Sequence, residues 1–436
     1  MKKVRLKKKF KLLILIFLIL IIVLVLFLIW HFDKKGSNKN NNTDLVSTVY
    51  KKINSSSIEI DFIKWVDSNY KGSISKMNAL LNKDKYDVSM WHSVTGNSFI
   101  VLKDLYNKKY DSMDNVTIVK SKDVSTLSFV GDVSLADNWF IAPKYDERGG
   151  IDGVLSEDIL SIMKNSDLMV ANSEFTVSNR GKKLPNKLYT FRAKPERLSI
   201  YSEIGVDMVT LANNHVFDYG EDAFLDMLDS FDKYKIPYIG AGHNIEEAKK
   251  PYYFIINGYK FAFVSATRAE KYIMTPGATE DSYGVFRCYD PILMINTIKD
   301  LRSDADYVIP IIHFGKEDSH ELEDEQVSSA RAYVDAGADA VVGHHAHTLQ
   351  GVEMYNNKPI IYNLGNFLFN DLEVDTAIFQ IRIDKNGKLD YYMIPAIQKD
   401  CKTSLLSGNE KQKVIDDINS WSINAHISND GKIINK

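Results

Sequence analysis

Cysteine is nearly absent from this chain: Cys288 and Cys401 are the only two in 436 residues. Two thiols build neither a disulfide framework nor a thiolate metal site, which excludes small stapled folds and structural zinc modules. The sequence leaves open whether the pair is joined. Acid is missing from the first eleven residues, MKKVRLKKKFK, which carry seven Lys/Arg. Apolar residues are nearly missing from 31–44, HFDKKGSNKNNNTD. No long apolar run follows residue 30, so the chain is not itself a transporter, and no internal repeat is visible. Positive charge is lacking beyond the N-terminus: the formal charge is −3 overall, and the first eleven residues contribute +7, leaving about −10 for the remainder. That balance argues against nucleic acid as a partner of the main body.

The one long apolar run is LLILIFLILIIVLVLFLIW, residues 12–30. At about 1.5 Å per residue, roughly twenty residues span the hydrocarbon core of a bilayer. A cleaved signal peptide has a shorter apolar core ending in small residues, whereas this run is followed by HFDKK. An uncleaved single-pass anchor is therefore expected, with the basic tail 1–11 in the cytoplasm and the main domain outside the cell membrane. Residues 31–44 read as a flexible linker. Residues 45–120 are expected to form a small accessory module without a chemical motif. SISKMNALLNK and NSFIVLKDLYNKKY suggest short helices there, and SSIEIDFIKW a strand.

From about residue 121 to 400 the pattern is that of one α/β domain. Short apolar runs recur, each closed by polar residues: TLSFVGD, LMVANSE, MVTLANNH, FAFVSATR, YVIPIIHFGKE, AVVGHHAH and PIIYNLGNF. Such runs fit buried strands. Amphipathic stretches between them, such as EDAFLDMLDSFDKYK and EDEQVSSARAYVDAG with a glycine stop at Gly337, fit helices. AIFQIRIDKNGKLDYYMIPAI reads as a hairpin around Asn386-Gly387. Residues 401–436 read as a polar C-terminal tail.

Chemistry-bearing residues gather at the ends of these strands. Asp132 follows LSFVG; Asn172 and Glu174 follow LMVA; Asn213, Asn214 and His215 follow MVTLA; His313 follows VIPII, with Glu317 four residues on; Asn363 and Asn366 follow PIIY. His344, His345 and His347 fall within four positions, in a chain of ten histidines. Singly, each has an ordinary explanation as a turn, a cap or a core-edge histidine. Jointly they point to a metal site, because sites in open α/β sheets form in the crevice beyond the strand ends. Imidazole, carboxylate and amide without thiolate suit Mn, Fe or Zn, as one or two divalent ions. His345 and His347 send two side chains to a common centre from an irregular turn, with His344 spare or supporting.

In order along the chain, FVGDVSL, ANSEF, LANNH, HFGKE, GHHAHTLQ and YNLGNFLF resemble the capsule-synthesis CapA (PgsA-like, poly-γ-glutamate) family, itself similar to calcineurin-like metallophosphoesterases. The resemblance covers about 125–370, and an N-terminal anchor matches the family's layout. It implies a four-layer α/β/β/α sandwich. It implies Asp132, Glu174, Asn214, His313, His345 and His347 as metal ligands and His215 as the residue assisting the leaving group. The phosphoesterases begin Asp-x-His where this chain has Asp132-Val133-Ser134. One imidazole is thus missing, Glu317 is a candidate to replace it, and either His344 or His345 takes the first role of the closing pair. The implied function is a membrane-anchored protein of poly-γ-glutamate synthesis with a metal-dependent hydrolase or transferase site. It would work on that or another surface polymer beside other membrane subunits of the complex. Alternatives are a non-catalytic scaffold subunit and a general metallophosphoesterase. Lys183, Lys187, Arg192 and Lys194 are candidates to meet a polyanion.

Overall fold

The computed structural model describes residues 44–270 and 274–436, and these fall into two compact units, ending and beginning at Thr95 and Gly96. The anchor expected over 12–30, with its basic tail and linker, lies outside the described residues. Among those described, no helix is long and apolar enough to cross a membrane.

The described part of the first unit is helical: 44–53, Ile60–Asn69, Ser73–Leu81 and Met90–Thr95. The strand expected in SSIEIDFIKW is a helix instead. Its alternation is too short to hold, whereas Phe62, Ile63 and Val66 recur at helical spacing and are the buried positions. The Phe62 and Trp91 rings meet edge-on at 5.3 Å. The unit ends at Thr95, not at residue 120 as expected. The helix Phe99–Tyr106 and the strand Val116–Ile118 belong to the second unit, where that strand pairs in parallel with Tyr252–Ile256.

The second unit is built on two mixed sheets. In spatial order, the first holds Val116–Ile118, Tyr252–Ile256, Tyr259–Thr267, Tyr307–Phe314, Val341–His345, Lys358–Ile361 and Val352–Tyr355. The second holds Lys402–Leu405, Leu389–Lys399, Val374–Asp384, Val124–Val133, Leu168–Ser173, Met208–Thr210 and Tyr238–Ile239, with Asn366–Leu368 paired to the end of Val124–Val133. The central strands of each sheet run parallel. All seven apolar runs become strands, and the hairpin at Asn386-Gly387 forms as expected.

One apolar layer lies between the sheets: Phe129, Val170, Phe379 and Ile381 from one side, Phe261, Phe263, Ile309 and Val342 from the other. Two outer layers carry the helices. Ile159, Met163, Phe224 and Phe231 cover the eight-stranded sheet, and Met294, Ile298, Ala330 and Tyr333 the seven-stranded one. The order is helix, sheet, sheet, helix, which is the four-layer sandwich expected. The residues after 400 are no loose tail. Lys402–Leu405 is an edge strand, and the helix Gly408–Trp421 buries Val414, Ile415 and Ile418 in the inter-sheet layer. That apolar triplet at helical spacing is short among polar residues, so it reads weakly in sequence. Cys288 and Cys401 are both free and buried.

Candidate metal centre

Parallel strands deliver their C-terminal ends to one edge, and both sheets do so side by side. In the eight-stranded sheet, register sets Asp132 beside Asn172 on one flank and Asn366 on the other. In the seven-stranded sheet, it sets His313 beside His344 and Phe314 beside His345. Glycine permits this density. A Cβ on Gly131 would lie 1.9 Å from the Gly365 carbonyl oxygen, and one on Gly343 would lie 2.0 Å from that of Tyr362.

The side chains converge. Ligand-capable atoms of Glu174, His313 and His345 lie within 4.8 Å of one another, as do those of Asp132, Glu174 and His347. Glu174 is common to both groups. Its Oε1 is buried without a hydrogen-bond partner, and His313 Nε2 and His347 Nε2 each stand 3.7 Å from it. His345 Nδ1 is a second orphan. Buried polar atoms are ordinarily satisfied, so orphans aimed at a shared point fit an absent cation. The donor set, two carboxylates and three imidazoles without thiolate, is one that divalent Mn, Fe or Zn accepts.

Asp132 is wholly buried. Asn172 Nδ2 donates to its Oδ1 at 2.8 Å, while His344 Nδ1 and His347 Nδ1 lie 3.3 and 3.2 Å from its two oxygens. Burial alone would lift its pKa, but the adjoining imidazoles of His344 and His347 hold it well below the ordinary carboxylate range. Glu174 moves the other way: burial, then the charge of Asp132, raise its pKa well above normal. Burial, then neighbouring His345, lowers His313 well below the usual imidazole value. Burial, then His347, brings His345 to about 3. Both rings are therefore neutral at neutral pH, the form in which imidazole binds a metal.

The predicted residues divide by position. His313 Nε2 pairs with Asn214 Oδ1 at 2.8 Å, which places that amide at the centre. Asn172 bridges Asp132, Glu174 at 3.0 Å and His313 at 3.4 Å, and so braces three of the predicted ligands. Asn366 Oδ1 receives His347 Nδ1 at 2.9 Å. Asn213 instead shapes its loop, donating to Asn172 Oδ1 and Ser173 O and accepting from His215 N at 3.0 Å. Asn363 Oδ1 accepts from Gly365 N and shapes a turn. Glu317 is 55% exposed, 3.9 Å from His345 Nε2, and outside both groups. It stands at the edge of the centre, where its charge bears on Glu174 and His347. The irregular turn is real: His345 and His347 have φ of +99° and +57°, and such left-handed backbone costs about 1–3 kcal/mol per residue.

Sequence reading missed the support behind His215. Its Nδ1 lies 2.8 Å from Asp218 Oδ2, three residues on. Asp218 in turn meets Lys187 Nζ at 2.8 Å, and Lys187 also holds Glu270 at 2.9 Å and donates to the Asn214 carbonyl. With its side chain only 8% exposed, Lys187 is no solvated lysine. The Phe191 ring packs on His215 at 4.3 Å and the Phe369 ring on His347 at 4.5 Å. The i, i+3 spacing of His215 and Asp218 was the available signal; for Lys187, Glu270 and the two rings there was none.

The fold and this centre together define a two-sheet α/β sandwich protein with a buried cluster suited to a divalent cation. The family model for the bacterial capsule synthesis protein PGA_cap matches residues 126–371, a span containing every side chain of the centre, and the chain belongs to that family. The PGA biosynthesis protein CapA of Bacillus subtilis (strain 168) is 31% identical over 301 residues, covering 68% of this chain and 77% of that one. The capsule biosynthesis protein CapA of Bacillus anthracis is 31% identical over 299 residues, covering 66% and 71%. A probable polyglutamine synthesis accessory protein of Mycobacterium tuberculosis (strain ATCC 25618 / H37Rv) is 25% identical over 220 residues, covering 48% and 58%.

Proposed function

We propose that this chain is an anchored accessory protein of poly-γ-glutamate capsule synthesis whose strand-end centre binds a divalent cation and performs hydrolysis or transfer on the polymer. The convergence of two carboxylates and three imidazoles around the orphaned Glu174 oxygen carries the catalytic half of this reading. The relatives' names and the family carry the capsule half. The basic stretch 1–11 and apolar stretch 12–30 support anchoring, with the main domain outside the cell membrane beside partner membrane subunits.

Asp132, Glu174, His313, His345 and His347 would hold one or two ions of Mn, Fe or Zn, with Asn214 beside His313. A bound ion supplies Lewis-acid polarisation and neutralises charge developing on a phosphoryl or acyl group. The remaining work falls to the chain. His215, oriented by Asp218 through Nδ1, presents Nε2 to protonate a leaving oxygen or nitrogen. Lys187 holds Asp218 in place, and the Phe191 ring limits water around His215.

Ser134, two residues after Asp132 where a phosphoesterase has histidine, favours a second reading: a scaffold subunit without turnover. A general metallophosphoesterase is the third. His215→Ala in the full chain separates them. The hydrolase reading expects capsule polymer to fall while bound metal is retained. Unchanged output would leave the scaffold reading, and turnover of simple phosphoesters with added Mn²⁺ would favour the third.

A further inference from the structure

Next to the segments that support His215 lies a cavity of about 230 Å³ whose lining includes Asp137, Asn138, Asn179, Arg192, Lys194 and Tyr219. Its electrostatics are unlike those of its surroundings. Arg180 is paired to Asp226 and Asp222, Arg197 to Asp137 and Asp146, and Lys187 to Asp218 and Glu270. Arg192 and Lys194 make no ion pair among the described residues. Asp137, also in the lining, is bonded by Arg197 Nε at 2.9 Å and the Lys194 backbone N–H at 2.8 Å, so its charge is shared with Arg197. The cavity thus holds two cations without a salt-bridged carboxylate beside amide and hydroxyl groups, and Arg192 Nη1 also donates to the Arg180 carbonyl at 3.4 Å.

Arg192 opens the short strand Arg192–Ala193, and Lys194 directly follows it. Phe191 turns to His215, and its N–H donates to Asp218 Oδ2 at 2.7 Å. Arg192 and Lys194 line the cavity instead. The Arg192 guanidinium carbon stands 4.2 Å from the centre of the Tyr219 ring, a cation–π contact that tethers the side chain at the cavity. Tyr219 directly follows Asp218. The same two segments thus carry the leaving-group histidine on one side and a preset cationic pocket on the other.

We propose that this cavity is a carboxylate subsite for a γ-linked oligoglutamate chain, binding a side carboxylate at Arg192 and Lys194 and an amide at Asn138 or Asn179, so that the polymer is fixed next to His215. The proposal rests on the poly-γ-glutamate reading above. At about 230 Å³ the cavity is smaller than pockets for drug-sized ligands, roughly 300–1,000 Å³. It suits one or two monomer units of a chain passing over the surface.

The test is binding of a fluorescent γ-linked glutamyl hexamer to the full chain in EDTA, by anisotropy, at two salt concentrations. Arg192→Ala/Lys194→Ala is compared with the wild type and with Arg192→Lys. The expected result is a loss of affinity of about tenfold or more in the double variant. Arg192→Lys should recover part of it, with Mn²⁺ content and melting temperature unchanged. Equal binding by wild type and double variant would overturn the subsite while leaving the polymer reading intact. No hexamer binding by wild type would overturn both. Displacement of hexamer by an equal concentration of inorganic phosphate would assign the pocket to phosphate and overturn the glutamyl proposal.

Discussion

Removing the His313 ring is the sharpest test of the centre. The side chain is 2% exposed, its Nε2 meets Asn214 Oδ1 at 2.8 Å, and the same ring stands 3.7 Å from the orphaned Glu174 oxygen. A ligand bound only by the folded state stabilises it by RT ln(1 + [L]/Kd), about 2.7 kcal/mol at a hundred times Kd. At about 2.1 cal/mol/K of unfolding entropy per residue, a unit spanning Gly96–Lys436 gains about 4 °C in Tm. If His313→Ala weakens binding about 100-fold, the same Mn²⁺ concentration equals the new Kd. The gain then falls to about 0.4 kcal/mol, or about half a degree. Any cavity cost of the substitution is present with and without metal, so it cancels from the metal-induced shift. His313→Gln, which keeps a donor for Asn214, guards against a variant that fails to fold. The assays are differential scanning fluorimetry with and without Mn²⁺ and elemental analysis of the purified full chain. Equal metal content and equal shifts in wild type and both variants would refute the assignment.

Other predictions concern protons, backbone and charge. Because burial and Asp132 raise the Glu174 pKa well above normal, metal binding is expected to release a proton, and to release more of it as pH falls. Calorimetry in two buffers of different ionisation enthalpy measures it, and identical heats would contradict it. The same raised pKa means the metal-free folded state binds this proton more tightly than the unfolded chain. Its contribution to stability is therefore greatest at low pH and is lost as pH rises toward the folded value. Gly131→Ala is expected to cost roughly 3 kcal/mol, since the added Cβ lands 1.9 Å from the Gly365 oxygen, and to lower metal content by shifting Asp132. Urea unfolding and elemental analysis check both. Lys187→Met leaves Asp218 and Glu270 without their cation and should cost about 3–5 kcal/mol in urea unfolding, with Asp218→Asn/Glu270→Gln restoring part of the loss.

Local pattern alone disclosed much of this molecule. Strands such as Tyr307–Phe314 are continuous apolar runs because both faces are covered, and that run stands out in any neighbourhood. The polar residue closing each run marks a strand end, so Asp132, Glu174, Asn214 and His313 were legible before any geometry was known. Short or weakly amphipathic segments were not. The helix Ile60–Asn69 looked extended, and the helix Gly408–Trp421 looked like a tail, because few residues carry either signal and packing decides. The division at Thr95 was equally hidden, since the pairing of Val116–Ile118 with Tyr252–Ile256 joins positions far apart in the chain.

What composition and periodicity determined on their own is the strand–helix alternation, the absence of thiolate chemistry and the roster of candidate ligands. Only the tertiary structure decided which of them share a centre. It left Glu317 half exposed at the edge of the centre, turned Asn213 and Asn363 into loop hardware, and set Lys187 behind Asp218. The reason is physical. A residue type states what a side chain can bind, but strand register and the packing of two sheets fix which side chains meet, and those contacts span distances along the chain that no local pattern encodes.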